Sequence, residues 1–376
     1  MANAFTFSTK RKEITGHNHQ QHDEAILLPG LPDQIAQLCL SFINPSLLYS
    51  VCHSWRRLIY SPSFPPFFSL YALLHYSQSP NSIEFFNFDP ISSTWHLLPP
   101  PPPLHHVLLH HPSFISQNFP IQSVSVSQNL VLLAATTHNF APALSHPLIF
   151  NPLSKTWSSG PPLSTPRRWC AAGAVRSTVY VASGIGSHFS NDTACSLEKW
   201  DHDHHGEWKR KSSLLRHGRF SREAIDAVGW RGKLYMVNVK AKEGMVYNVD
   251  KDEWEEMPEG MLRGWKGPVA AMDEDVMYLV DEAKGALRKY DHEKDLWEEI
   301  MESEMLKGAQ HVAAGGGKLC VVCGGSGIVV VDVVASPKKL WVLDMPMGFE
   351  ALRVHILPRM TRPDFDFPVL PSTSME

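Results

Sequence analysis

The sequence predicts an all-β propeller, counted at six blades, behind a small α-helical unit. Three observations carry this. From about residue 67 the chain is written in short β-branched or aromatic runs ended by turn residues, such as FSLYALL (68–74), TVYVASG (178–184), KLYMVNV (233–239) and KLCVVCGG (318–325). One phrase recurs through the same region, as FNFDPISSTW (86–95), FNPLSKTW (150–157), WDHDHHGEW (200–208), YNVDKDEW (247–254) and YDHEKDLW (290–297), with a looser sixth case ending at Trp341. Ahead of these strands, residues 26–64 carry helical rather than alternating apolar spacing.

The spacing of the phrase sets the architecture. Its tryptophans, Trp95, Trp157, Trp208, Trp254, Trp297 and Trp341, are 62, 51, 46, 43 and 44 residues apart. Room for four strands per repeat makes each repeat one propeller blade. Within the phrase an aromatic and an Asp or Asn end the third strand. A polar turn follows, and the tryptophan at the start of the outer strand is large enough to fill the wedge between blades. Small residues in CAAGAV, AIDAVG and HVAAGG suit inner strands that crowd a central channel. A single blade cannot bury both faces, so the ring must close. The first repeat lacks an inner strand, and ALRVHIL (351–357) is placed to supply it.

In the helical unit, Ile35, Leu38 and Phe42 share one spacing, Leu48, Val51 and Trp55–Leu58 another, and Pro45 separates them. Pro32 followed by Asp33 suits a helix start. Under 40 residues cannot bury so many apolar side chains alone. The surplus fits packing on the rest of the chain or docking in a partner's groove, and the pattern alone does not choose between them. The resulting division is a disordered tail at 1–25, the helical unit at 26–66, the propeller at 67–358 and a second tail at 359–376.

Composition narrows the function classes. A 43% hydrophobic and 19% charged chain can build a core. A net charge of −4, from 34 basic and 38 acidic residues, gives no overall positive field, so neither nucleic acid nor membrane is expected as a partner. No run of 18 apolar residues and no secretory leader is visible, and six scattered cysteines suit reduced thiols in the cytoplasm and/or nucleus.

No metal, cofactor or catalytic site is expected. His105, His106, His110 and His111 follow a five-proline run, and DHDHHGE (201–207) fits a solvated turn. Cys320 and Cys323 have CxxC spacing, but on a strand they point to opposite faces. GGGKL (315–319) lacks the glycine and hydroxyl residues of a phosphate loop. Arg167, Arg168 and Trp169, Arg219 and Arg222, and Arg263 and Trp265 fall in connections between blades. Such connections gather at one mouth of the ring, where Arg and Trp suit a protein-binding surface or pair structurally with neighbouring blades.

The segment LPGLPDQIAQLCLSFINPSLLYSVCHSWRRLIYSPSF resembles an F-box through Leu31-Pro32-Asp33, the leucine helix, the PSLL step, Val51-Cys52, Trp55-Arg56 and Leu58-Ile59. Gly30, Gln34 and His53 depart from the family's usual charges. The remainder resembles kelch repeats with a degraded glycine doublet, retained only in CGGSG (323–327). The combination is similar to plant F-box/kelch-repeat proteins, particularly their Skp-interacting group. The resemblance implies a substrate-recognition subunit of a Skp–cullin–F-box ubiquitin ligase, non-catalytic and without cofactor. Its F-box would meet a Skp-family adaptor, and through it cullin and RING subunits, using Leu28, Pro29, Leu31, Pro32, Ile35, Leu38, Leu47, Val51, Cys52, Trp55 and Leu58. Its propeller would hold an unknown protein substrate. Two other readings are a non-degradative propeller scaffold or sensor and, more distantly, a carbohydrate-active enzyme, which would need a polar site with perturbed titrating groups in the channel.

Overall fold

A computed structural model describes residues 27–361, apart from 78–82, 103–106, 108–120, 204–205, 215–219, 221–224, 239–240 and 325–326. Three short helices, α1 (Asp33–Ser41), α2 (Pro45–Val51) and α3 (His53–Tyr60), precede the strands. Asn44 accepts the Ser46 N–H at 2.9 Å and Pro45 takes the first turn of α2, as a capping residue and a helix-starting proline should. Behind them the described residues form six antiparallel four-stranded sheets.

From the centre outwards, blade I is Phe349–Pro358, Phe68–Tyr76, Ile83–Asp89 and Thr94–Leu97. Blades II to VI run in simple chain order from inner strands Ile121–Val126, Ala171–Val175, Asp226–Trp230, Val269–Met272 and Ala309–Gly315. Each inner strand touches the next all the way round. The closing strand comes from the C-terminal end, as the position of ALRVHIL implies, and pairs from Phe68↔Pro358 to Tyr76↔Phe349 with one irregularity at Leu73/Leu74. Crowding at the centre explains the small residues there. A Cβ on Gly229 would lie 1.8 Å from the Ala174 carbonyl oxygen.

The repeated phrase has one physical form. In all six blades the Asp or Asn ending the third strand accepts a backbone N–H from the turn, as Asp89 does from Ile91 (2.8 Å), Asn151 from Leu153 (2.8 Å) and Asp291 from Glu293 (3.0 Å), with Asp201, Asn248 and Asp332 doing the same. Ser93, Lys155, Asp252 and Asp295, each two residues before the tryptophan, are left-handed. The tryptophan lies across from the third-strand aromatic, with Phe150–Trp157 centroids 5.0 Å apart and Tyr290–Trp297 5.1 Å. Its indole N–H then reaches the exit of the preceding blade. Trp95 donates to Asp344 (2.7 Å), Trp157 to Pro99 (2.8 Å), Trp208 to Pro161 (2.9 Å), Trp254 to Ser212 (2.9 Å) and Trp297 to Met261 (3.0 Å). Each wedge is therefore also a stitch between blades.

Trp341 is not the sixth wedge. In blade IV, Asn248 pairs with Glu253 and Tyr247 with Trp254. In blade VI, Asp332 pairs with Lys339 and Val331 with Leu340, because that turn is two residues longer. Leu340 takes the wedge position in the seam with blade V. Trp341, one residue on and opposite Val330, therefore points to the other face, towards blade I. Cys320 and Cys323 also divide between the two faces of blade VI.

Replacing a stitching tryptophan should remove both wedge and hydrogen bond. Trp297→Ala is expected to cost about 2–4 kcal/mol in denaturant unfolding, whereas Trp341→Ala should cost about 1 kcal/mol or less. Equal costs would contradict the assignment.

Candidate protein-binding surfaces

The helical unit has a core of its own, made by Leu40, Leu48, Leu58, Ile59, Tyr60 and Phe64, with Trp55, Phe67 and Ile91 packed against it. Trp55 donates its indole N–H to the Leu27 carbonyl at 2.8 Å and holds the incoming chain on α3. The opposite stripes of α1 and α2 are bare. Leu31, Ile35, Leu38, Leu47 (62% exposed) and Val51 all face solvent. Phe42, 84% exposed, and Ile43 extend this surface. Phe42 shares the spacing of Ile35 and Leu38, so its place was readable, whereas Ile43 had no periodic signal. Pro29 and Pro32 are exposed at its edge, and Leu28, Cys52 and Trp55 are half-buried. Leu58, expected on the surface, is only 5% exposed because the phase of α3 turns it into the core with Ile59.

A clasp joins this unit to blade I. Tyr60 donates its hydroxyl to the Asp89 carboxylate. Arg359 reaches the carbonyls of Ser61 (2.9 Å) and Phe64 (3.2 Å) and lies against the rings of Tyr60 and Phe67. Thr361 donates to Leu153 O at 2.6 Å. Arg359, Met360 and Thr361 are thus buried parts of the fold, although the sequence places them in a tail. The other tail residues, 1–25 and 362–376, lie outside the described residues. Asp89 and Ile91 belong to the turn between the third and fourth strands of blade I. In a four-stranded antiparallel blade that turn lies at the opposite end from the connections entering inner strands. The bare helical stripes and the mouth carrying those connections therefore belong to opposite faces of the ring.

At that mouth the predicted residues separate. Arg167 is 1% exposed and belongs to the scaffold. It pairs with buried Glu198 and donates to Ser196 Oγ (2.8 Å) and Ser183 O (3.0 Å). Trp265 is buried edge-on against Trp297 at 6.1 Å. Arg263 is exposed but paired with Glu259 on the same short helix. These three resolve to structural pairing. Arg168 and Trp169 remain half-exposed, with the guanidinium 4.6 Å from the ring centre. Phe140 stands 6.4 Å from Trp169, and Phe189 is exposed on the next loop of blade III. Neither phenylalanine carried a sequence signal, because both sit in irregular loops. Arg219 and Arg222 lie outside the described residues, as do His105, His106, His110, His111, His204 and His205.

The channel is more polar than small residues alone would make it. A cavity of about 650 Å³ is lined by Ala172, Gly173 and Ala313, but also by Asp226, His311, Arg353 and His355. His355 is held between Ser123 (2.9 Å) and Ser125 (3.0 Å). Burial, reinforced by the Arg353 charge, pulls its pKa down to about 3, so it stands neutral. Burial of Asp226 pushes its carboxyl up to about 6, against the opposing pull of Arg353. His311, likewise buried, is held well below the usual imidazole range. The perturbed groups sought for an enzyme reading are therefore present. His355 and Asp226 are both engaged by the scaffold, Asp226 through the Val269 N–H at 3.3 Å.

This chain is 52% identical over 378 residues to the F-box/kelch-repeat protein SKIP25 of Arabidopsis thaliana, in an alignment covering 95% of this chain and 94% of that one. It belongs to the F-box/kelch-repeat family. Two more distant Arabidopsis relatives are the F-box protein AFR, 24% identical across 68% of each chain, and the F-box/kelch-repeat protein At1g30090, 23% identical across 68% of this chain and 65% of that one. No family model matches the chain. Membership accounts for the helical unit as the F-box and for the ring as kelch blades. Among the described residues no helix is long and apolar enough to cross a membrane.

Two outcomes follow from these placements. Arg167→Met strands the Glu198 carboxylate and should destabilise by about 3–5 kcal/mol, read as a lower melting temperature; an unchanged one would contradict the scaffold role. The channel residues set the acid limb with opposite signs. Between pH 6.5 and 3 the unfolded chain takes a proton at His355 that the folded chain refuses, so stability falls on acidification. Between about pH 6 and 3.8 the folded chain holds a proton on Asp226 that the unfolded chain lacks, so stability rises. His355→Asn should flatten, and Asp226→Asn steepen, the fall in melting temperature from pH 6.5 to 4.

Proposed function

We propose that this F-box/kelch-repeat protein is the substrate-recruiting subunit of a Skp–cullin–F-box ubiquitin ligase. The observation that carries this is the pair of bare apolar stripes on α1 and α2. Leaving Leu31, Ile35, Leu38, Phe42, Leu47 and Val51 in water is unfavourable by roughly 25 cal/mol per Å² of apolar surface. Such a contiguous patch marks a partner surface. A Skp-family adaptor is the partner the F-box resemblance implies. The names of the relatives support the assignment of the F-box and the kelch repeats.

On this reading the chain contributes proximity rather than chemistry, holding a target protein beside the ubiquitin-loaded enzyme that the cullin and RING subunits bring. Target binding falls to the opposite mouth, where Arg168, Trp169, Phe140 and Phe189 combine the residue types that dominate protein interfaces. The family resemblance and the clasp that fixes the two faces apart both favour this arrangement.

Co-purification of the full chain with a Skp-family adaptor tests the first half. Leu47→Asp, at an exposed site that leaves the core intact, should weaken capture by at least tenfold, and Leu58→Ala should act through lower stability instead. Undiminished capture by Leu47→Asp contradicts the proposal. For the second half, Trp169→Ala should reduce recovery of proximity-labelled targets by at least tenfold while adaptor binding is unchanged.

A further inference from the structure

The face that Trp341 takes in blade VI belongs to a second site. A cavity of about 620 Å³ lies between the underside of blades VI and I and the α1–α2 connection of the F-box at Asn44–Ser46. Phe68, Phe88, Ile91, Trp341, Ile356 and Pro45 form its apolar walls. Leu340, opposite Val331, fills the seam with blade V. Trp341 stands one residue past that position, on the other face, where its ring lines this cavity and is 38% exposed. Its indole N–H has no partner among the described residues, unlike those of the five stitching tryptophans. Phe68, the first residue of its strand, is 50% exposed on the same cavity.

We propose that this cleft binds a small, flat, apolar molecule carrying one hydrogen-bond acceptor. The ring of Trp341 supplies a stacking face and its N–H the donor, while Phe68 and Ile91 cover the remaining apolar surface. The volume and mostly apolar lining match those of small-molecule pockets, which favour junctions between structural units. A docked helix is too large, since two turns about 10 Å across and 11 Å long occupy roughly 850 Å³. Because the walls come from both the F-box and the propeller, an occupant bridges the two and strengthens their junction. Lys318, at the rim, is paired with Asp332 at 3.3 Å, so the site calls for a neutral acceptor rather than an anion.

Titration of the full chain with prodan, a neutral naphthalene bearing one carbonyl, tests this. The expected result is a saturable blue shift in emission with one site per chain. Trp341→Phe, which keeps the stack and loses the donor, should weaken binding by about 3–10-fold. Trp341→Ala and Phe68→Glu should each weaken it at least tenfold. Met347→Ala, at a 95% exposed position on the opposite mouth, should leave it unchanged. No saturable shift, or a shift that Trp341→Ala and Phe68→Glu leave intact, overturns the proposal. Adaptor capture is a separate readout, so failure here is distinguishable from failure of the ligase reading.

Discussion

The antiparallel pairing of Phe349–Pro358 with Phe68–Tyr76 is the contact on which the rest of the molecule depends. It joins opposite ends of the chain, with Tyr71 opposite His355 and Val354 opposite Ala72, and turns six sheets that each have unsatisfied faces into a closed ring. Without it, blades I and VI would both expose seams that Leu70, Ala72, Leu74, Val322, Ile328 and Val354 now fill together. It also delivers His355 and Arg353 to the channel and Arg359 to the F-box, so closure of the ring, polarity of the channel and placement of the helices share one cause.

The F-box is coupled to that closure through Arg359. A guanidinium buried among two carbonyls and two aromatic rings holds α3 against blade I, and Tyr60–Asp89 adds a second tie. Asp89 is at once the turn-forming acid of the first blade phrase and the acceptor for Tyr60, so one side chain serves the repeat and the junction. The consequence for function is geometric. On the proposed reading, an adaptor on the bare stripes and a target at the far mouth would be held at a fixed separation by contacts rather than by a flexible linker, as delivery of a lysine to a distant enzyme requires.

Much of this was legible because the repeats repeat. The Asp or Asn of the phrase, its tryptophan and the missing inner strand of the first unit each had a counterpart elsewhere in the sequence, and the blade count follows from them. What was not legible has physical reasons. The sixth turn is two residues longer, so Leu340 takes the wedge position and Trp341, one residue past it, faces the other way, and no composition reveals that. Leu58 and Val51 are equally apolar, but only the phase and packing of α3 decide that the first is core. Arg167 looks like a surface cation until Glu198, 31 residues later, is folded against it. The polar channel groups escaped notice because Asp226, His311, Arg353 and His355 come from three distant inner strands and meet only in the closed ring.

The closure claim is tested most directly by the thermal unfolding of a chain ending at Gly348, which retains the F-box and every strand of the ring except the inner strand of blade I. The account predicts that this chain loses the single cooperative transition of the full protein and melts early and broadly. A sharp transition at the temperature of the full chain would contradict it.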